Sequence, residues 1–201
     1  MLLKKLCELN GTSGAEGAVR DCLRQEIQPF VETIQVDKMR NLIAVKNSQR
    51  SGPKVMVAAH MDEVALMIMD ITSDGFLKFQ PVGGIDPRIL VSKPVRINQS
   101  VMGVIGAKAI HLQRSSERRR ALTFEQLYID IGAKSKEDAS GKVKLGDYAY
   151  FLTEFETFGE GLYKGKALDD RVGCAIIAEL LKKDFAYPLV AAFTVQEEVG
   201  L

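Results

Sequence analysis

Two apolar runs, residues 55–59 and 189–195, most strongly constrain what this chain can form. Each has the length of a buried strand, and each is followed directly by imidazole or carboxylate side chains. A helical pattern of apolar residues over 171–183 lies between them. Apolar strands on either side of a helix indicate a βαβ unit, so the sequence predicts an α/β fold with a mostly parallel sheet.

His60 and Asp62 follow the first apolar run. Side chains two positions apart on a strand share one face, so these two can act together. In one natural division of roles, His60 binds a metal ion and Asp62 accepts a hydrogen bond from the other ring nitrogen, which fixes the tautomer. Taken alone, His60 could equally be a histidine of the hydrophobic core.

Two further segments carry paired acidic residues. Asp169 and Asp170 precede the predicted helix, and Glu197 and Glu198 follow the second apolar run. Neighbouring residues of a strand point to opposite faces, so both glutamates reach one site only if the strand ends there, and Gly200 fits a turn. Separately, the aspartates could merely cap a helix and the glutamates could lie at a solvated strand end. Together with the histidine pair, they suggest a metallohydrolase.

The same segments carry a resemblance to a known family. The matching stretches are residues 60–64, 165–173 and 196–200, with further matches at 41–44, 83–88 and 128–133. In this order, and over its whole length, the chain resembles the glutamyl and deblocking aminopeptidases. These are dinuclear-metal exopeptidases that often assemble as tetrahedral dodecamers, and some members have carried the name cellulase.

The resemblance implies a site with two divalent metal ions, zinc or cobalt, with manganese as a third candidate. His60 and Glu198 would bind separate metals, and Asp169 would bridge them. Asp62 would orient His60, and Glu197 would be the general base that moves a proton from water to the leaving amine. The implied reaction removes N-terminal residues from peptides, and the implied assembly is a homo-oligomer, a dodecamer in the family.

The spacing of turns predicts an inserted domain. After the first apolar run, short strands are broken by turns at 73–75 and 82–84, a rhythm typical of a small barrel or sandwich. The sequence therefore predicts a catalytic domain from residues 1–66 and 164–201. Residues 67–163 would form an inserted β-rich, barrel-like domain, and the family resemblance implies that this domain serves dimerisation or assembly.

The N-terminal segment shows helix and strand patterns. Residues 2–9 form a predicted short helix, and strands are predicted at 33–37 and 41–46. A second helix is predicted from apolar residues at helical spacing between 19 and 27. Just before it, Ser13 and Glu16 have the spacing of a capping box, in which both side chains close the first turn of the helix.

Three candidate ligands are fewer than two metal ions require. The second histidine, His111, lies in an apolar run of the inserted block, where a structural or subunit-contact role is expected. In the family, another carboxylate and another histidine follow the paired glutamates. We therefore expect the N-terminal two-thirds of a longer enzyme, with an incomplete catalytic domain and little or no aminopeptidase activity by itself. The alternative is a short protein that is complete in itself.

Composition excludes some functional classes. A formal charge of +1, from 27 basic and 26 acidic residues, argues against nucleic-acid binding, and the basic run at 114–120 is expected to be a solvated loop. Apolar runs are too short for a membrane span, and the first residues lack a signal-peptide layout. Three scattered cysteines indicate reduced thiols, so a cytoplasmic location is expected.

Two other functions stay open at this point. One is a non-catalytic remnant or assembly subunit whose inserted domain still contacts other proteins. The other is a glycoside hydrolase, since paired carboxylates also serve that chemistry. His60 and a bridging Asp169 favour a metal-dependent mechanism over the glycosidase.

Overall fold

The computed structural model describes residues 1–200, apart from the side chain of Glu117. The chain divides into two compact units, the first from Met1–Glu63 with Thr153–Leu201 and the second from Val64–Leu152. Within residues 1–200 the α-helices are α1 (Leu2–Glu8), α2 (Gly17–Ile27), α3 (Ser115–Arg118), α4 (Lys136–Ser140) and α5 (Leu168–Leu181). In this part of the chain, each helix falls short of the length and apolar character that a bilayer span requires.

The strands of the same residues fall into the two units. They are β1 (Thr33–Val36), β2 (Leu42–Lys46), β3 (Val55–His60), β4 (Ala65–Ile71), β5 (Leu77–Val82), β6 (Pro94–Ile97), β7 (Val101–Ala107), β8 (Leu127–Asp130), β9 (Tyr148–Phe151), β10 (Glu156–Phe158), β11 (Leu162–Lys164) and β12 (Leu189–Thr194). Strands β1–β3 and β10–β12 belong to the first unit, and β4–β9 belong to the second.

The first unit contains a four-stranded sheet in the order β1–β2–β12–β3. β12 pairs with β3 in parallel, whereas β1–β2 and β2–β12 are antiparallel. The expectation of a mostly parallel sheet is therefore not confirmed within residues 1–200, where the sheet is mixed. A tight connection is one reason: Asp37 accepts hydrogen bonds from the backbone and side chain of Asn41, and such a turn joins strands that run in opposite directions.

The parallel pair β3–β12 determines where the following residues emerge. His60 is the partner of Thr194 at the end of this pairing, and the Met61 N–H donates to the Thr194 carbonyl at 2.8 Å. Both strands therefore end at the same edge of the sheet. The segments that follow β3 and β12 begin side by side.

A single apolar core fills the first unit. Its buried members come from helices α1, α2 and α5 and from the sheet, and include Leu6, Leu23, Leu42, Ile177 and Phe193. The helices predicted at 2–9, between 19 and 27 and over 171–183 are all present. α5 includes Leu168, but Asp169 and Asp170 have non-helical backbones, so its regular turns begin at Arg171 as predicted.

Strand β3 lies at an edge of the four-stranded sheet in the described residues, and only one of its faces is covered. Val55 and Val57 pack against the core, but Met56 on the opposite face is 66% exposed. The prediction of a buried strand was therefore wrong for the first four residues of this run, which are half-buried or exposed. It is correct at the C-terminal end, where His60 is buried.

The second unit is a closed barrel of six strands in the order β4–β5–β8–β7–β6–β9. It has its own apolar core, which includes Leu66, Phe79, Ile97 and Ile129. The β-rich, barrel-like block expected from the turn spacing is thus present. The unit covers Val64–Leu152, compared with the predicted insert at 67–163, and the difference at its end includes the hairpin β10–β11.

Gly103 in β7 allows two barrel strands to approach closely. A Cβ atom at this position would lie 2.6 Å from Cγ2 of the buried Ile129 and 3.2 Å from the Asp130 carbonyl oxygen. We therefore expect Gly103→Ala to lower the free energy of unfolding by about 1–3 kcal/mol, as overpacking a filled core does. Urea denaturation measures this change. Gly84→Ala is the control, because a Cβ there meets nothing within 4 Å, and equal effects of the two substitutions would contradict the packing argument.

Candidate metal centre

His60 is oriented by a carboxylate at the end of β3. Its Nδ1 lies 3.2 Å from Oδ1 of Asp62, which follows the strand after one residue. A carboxylate at Nδ1 favours the tautomer that carries its proton there and leaves the lone pair of Nε2 available. The two residues therefore have the relation that the sequence suggested, with His60 presenting Nε2 and Asp62 fixing the ring.

Asp169 approaches the free nitrogen of this ring. Oδ1 of Asp169 lies 3.2 Å from Nε2 of His60, although 109 positions separate the two residues. Asp169 belongs to the first turn of α5 but has a non-helical backbone, with φ −84° and ψ 112°. Its side chain is 91% exposed, so the His60–Asp169 contact opens directly to solvent.

The paired glutamates follow β12 in a short turn. Gln196 has a left-handed backbone with φ 62°, and Glu197–Val199 form one turn of 3-10 helix. This reversal ends the strand and directs the backbone N–H groups of both glutamates to the Asp62 carboxylate. Oε2 of Glu197 lies 3.7 Å from Nε2 of His60.

Asp62 connects these parts, because its carboxylate accepts hydrogen bonds from three segments. Oδ1 accepts from the Glu197 N–H and from His60, and Oδ2 accepts from the Glu198 N–H at 3.1 Å and the Ser13 hydroxyl at 2.6 Å. Burial by itself raises the pKa of Asp62, but these hydrogen bonds outweigh burial and lower the pKa to about 2. A fully buried, ionised carboxylate thus aligns the histidine and the backbone of both glutamates.

The other titratable groups respond to the accumulation of carboxylates. The hydrogen bond to Asp62, acting against burial and together with the smaller effects of Asp169 and Glu197, raises the pKa of His60 to about 9. Burial raises the pKa of Glu198, His60 opposes that rise, and the neighbouring carboxylates add to it. Excess negative charge around one imidazole is the electrostatic situation that a divalent cation relieves.

The donor types fit a divalent metal ion. An imidazole nitrogen with a carboxylate on its other nitrogen, surrounded by further carboxylate oxygens, suits zinc and similar cations. Within residues 1–200, however, His, Cys, Asp and Glu side chains do not form a ready-made group of three or more around one point. The chemistry of the donors and the orientation of His60 support a metal site, and the contacts that are present join His60 to Asp169 and Glu197.

A buried cluster of charges beside this site was not found by reasoning from the sequence. Glu63 follows Asp62, is 3% exposed, and contacts Lys166 at 2.7 Å and Arg171 at 3.6 Å. Lys166 and Arg171 lie on either side of Asp169 in the chain, so the cluster joins the segment after β3 to the start of α5. Glu63, Lys166 and Arg171 all belong to segments that carry the family resemblance, but only the structure shows that the three side chains meet.

Comparison with known proteins agrees with these segments. The family model described as M42 glutamyl aminopeptidase matches residues 40–201. The lysyl aminopeptidase of Pyrococcus furiosus is 31% identical over 208 residues, covering 100% of this chain and 60% of that protein.

Two solved structures are also similar. A Thermotoga maritima protein described as an endoglucanase has a TM-score of 0.82 and 39% identity, covering 97% of this chain and 59% of that one. The Pyrococcus horikoshii TET1 peptidase, which can assemble into a tetrahedron or an octahedral shell, has a TM-score of 0.85 and 36% identity, covering 98% of this chain and 61% of that one. The chain spans about three-fifths of the length of the relatives it matches. Because the family model covers well over half of the sequence, this chain belongs to the M42 glutamyl aminopeptidase family.

Proposed function

We propose that this protein is a metal-dependent aminopeptidase that removes N-terminal residues from peptides. The observation that carries the proposal is the orientation of His60, whose Nδ1 is held by Asp62 while Nε2 faces the carboxylate of Asp169. Membership of the M42 family supports the same activity. Three buried free cysteines, Cys7, Cys22 and Cys174, suit a reducing compartment, and we propose a cytoplasmic location.

We propose His60, Asp169 and Glu198 as ligands of two divalent metal ions, with Asp169 shared between them. Zinc and cobalt are the first candidates and manganese the third. When bound, the two ions would lower the pKa of a water molecule and polarise the peptide carbonyl. Three side chains leave coordination positions for water, for the substrate and for further ligands.

The remaining residues of the site would position groups and move protons. Asp62 accepts a hydrogen bond from Nδ1 of His60 and directs Nε2 toward Asp169, where a bound metal would take the place of the Nε2 proton. Glu197 is the proposed general base, because its side chain is 60% exposed and its Oε2 lies 3.7 Å from Nε2 of His60. In this position it can take a proton from the attacking water and deliver it to the leaving amine.

We further propose that the protein works as a homo-oligomer, and that residues 67–163 form the assembly domain. The solved TET1 peptidase supports this proposal by its similarity, since that protein forms closed shells. The barrel has its own core, so it can present a contact surface without rearranging the catalytic unit.

Metal dependence tests the proposed activity. We expect residues 1–201 alone, which hold three of the proposed ligands, to show little or no hydrolysis of an amino-acid amide. A polypeptide extended to the length of its relatives should bind zinc or cobalt in calorimetry and hydrolyse the amide, with both properties lost after dialysis against a chelator and restored by the metal. His60→Ala should weaken metal binding by at least about 100-fold, since even residues that only orient a ligand contribute 10–100-fold. Full activity with the chelator present, or unchanged metal affinity in His60→Ala, would overturn the proposal.

The same assays separate the two alternatives. Metal binding by the extended polypeptide without hydrolysis of any aminoacyl amide would favour a non-catalytic assembly subunit. Chelator-resistant cleavage of a cellulose oligosaccharide would favour a glycoside hydrolase. Two observations justify this assay: Glu197 and Glu198 are adjacent carboxylates, and one similar structure is described as an endoglucanase.

A further inference from the structure

The loop between α1 and α2 contains two polar side chains that are buried. Ser13 is 8% exposed and Glu16 is 2% exposed. Their spacing predicted a capping box for α2, and the structure shows that this interpretation was wrong. Helix α2 begins at Gly17 without a hydrogen bond from any side chain to its first turn, so both side chains are used elsewhere.

Ser13 bonds to the carboxylate at the centre of the candidate site. Its hydroxyl donates to Oδ2 of Asp62 at 2.6 Å, from a position 49 residues earlier in the chain. Oδ2 also accepts from the Glu198 N–H, while the other oxygen, Oδ1, accepts from His60. A donor at Oδ2 sets the rotation of the carboxylate plane, and that rotation directs Oδ1 toward the imidazole.

Glu16 bonds to the turn that carries the paired glutamates. Its Oε1 accepts from the Gly14 N–H at 2.8 Å and from the Gln196 N–H at 3.2 Å. Gln196 has a left-handed backbone, which is costly for a residue with a side chain and persists only where neighbours hold it. Glu16 is such a neighbour, and the next residue in the chain is Glu197.

The base of the same loop is fixed to the buried charge cluster. Gly11 and Glu63 exchange hydrogen bonds, with the Gly11 N–H donating to the Glu63 carboxylate and the Glu63 N–H donating to the Gly11 carbonyl. Arg171 donates to the Gly11 carbonyl as well. The loop is therefore anchored before Ser13, and Ser13 and Glu16 project from a fixed backbone.

From these contacts we infer that Ser13 and Glu16 are positioning residues of the candidate metal centre. Ser13 orients the Asp62 carboxylate that holds His60, and Glu16 holds the turn that presents Glu197 and Glu198. The inference rests on the proposed function, because the residues being positioned are those assigned to metal binding and proton transfer.

Removing the Ser13 hydroxyl should weaken metal binding. We expect Ser13→Ala to raise the dissociation constant for zinc about 10-fold and to alter the visible absorption of the cobalt-loaded protein, because the orientation of His60 is relaxed. Ser13→Thr, which keeps the hydroxyl, should restore most of the affinity. If Ser13→Ala does not fold by circular dichroism, Ser13→Cys supplies a weaker donor in its place.

Thr12 supplies a matched control in the adjacent position. Its hydroxyl is buried and finds no hydrogen-bond partner among residues 1–200. Thr12→Val removes a hydroxyl from the same loop with little change in shape, so the metal affinity and the cobalt spectrum should stay as in the parent protein. Equal loss of affinity in Thr12→Val and Ser13→Ala would show that the loop acts only through folding.

Glu16 should affect turnover more than substrate binding. In the extended polypeptide, we expect Glu16→Ala to lower kcat about 10-fold with little change in KM, because the turn that holds Glu197 loses its anchor. Glu16→Gln keeps an oxygen acceptor at the same position and should recover much of kcat.

Measuring His60→Ala in each series distinguishes a failure of the positioning role from a failure of the proposed function. If His60→Ala weakens metal binding but Ser13→Ala and Glu16→Ala leave both affinity and kcat unchanged, the positioning role is wrong and the proposed function stands. If His60→Ala has no effect either, the proposed function itself fails.

Discussion

Glu197→Gln is expected to lower kcat by about 10²–10⁴-fold, the range that a positioned general base contributes. Glutamine keeps the size of the side chain but cannot accept the proton of the attacking water. Its backbone N–H, which donates to Asp62, is unaffected, so the turn after β12 should keep its conformation. Steady-state kinetics of the polypeptide extended to the length of its relatives on an amino-acid amide, with metal affinity measured in parallel, checks both expectations.

Glu198→Gln is the matched comparison, since the same substitution is made at the next residue of the same turn. We expect it to raise the metal dissociation constant, because Glu198 is assigned as a ligand, whereas Glu197→Gln should leave the dissociation constant close to that of the parent. If Glu197→Gln instead raises the metal dissociation constant and Glu198→Gln lowers only kcat, Glu197 is the ligand and Glu198 the base. Unchanged kcat in Glu197→Gln would remove Glu197 from the mechanism.

Glu63→Ala is expected to lower the free energy of unfolding by about 3–5 kcal/mol, the usual cost of removing one partner from a buried ionic group. Lys166 and the fully buried Arg171 would lose their carboxylate partner. Burial lowers the pKa of Lys166, and the negative charge of Glu63 is the main effect that opposes this decrease. Chemical denaturation followed by circular dichroism measures the loss.

An exposed ion pair provides the control for this prediction. Glu8 lies 3.7 Å from Lys4 on the surface of α1, and both side chains are more than half exposed. Glu8→Ala should cost no more than about 0.5 kcal/mol, because solvent screens such pairs. A loss of less than about 1 kcal/mol in Glu63→Ala would mean that water or other groups satisfy the cluster, and the anchoring of the loop would need another explanation.

The parts of the site that sequence reasoning found are those encoded within short segments. His60 and Asp62 are two positions apart, and their spacing predicted that they act together. In the structure β3 ends at His60, and Asp62 contacts Nδ1 from just beyond the strand. The period of apolar residues likewise identifies α2 and its buried side, since its apolar positions from Val19 to Ile27 are buried. For α5 the pattern found the helix but not its buried side, because Val172 and Ile176 of the apolar line are exposed whereas Cys174, Ile177 and Ala178 are buried. His60 ends β3 and Asp169 lies at the start of α5, and their side chains are 3.2 Å apart. This contact agrees with the prediction that the two segments meet at one site.

The features that were missed depend on partners far apart in the chain. Ser13 and Glu16 suit a capping box by their spacing, and nothing local to them reveals that Asp62 and Gln196 compete for their hydrogen bonds. The direction of strand pairing is similarly non-local. An apolar run such as β12 can pair with β2 in one direction and with β3 in the other, and here it does both.

The register of β3 against β12 has a consequence for how the site and the sheet depend on each other. β12 is Leu-Val-Ala-Ala-Phe-Thr, in which adjacent alanines only weakly distinguish one alignment from a neighbouring one. A slip of one residue would move the paired glutamates by about 3.3 Å and would turn the strand's side chains to the opposite faces.

Two polar contacts resist that slip at the end of the strand. The Val195 N–H donates to the side-chain oxygen of Asn41 at 3.0 Å, and the Glu197 N–H donates to Asp62. These contacts form only in one alignment of β12 with its neighbouring strands. The polar groups around the imidazole therefore also determine the strand register of the sheet. Errors in strand alignment would therefore be excluded by the same hydrogen bonds that assemble the metal centre.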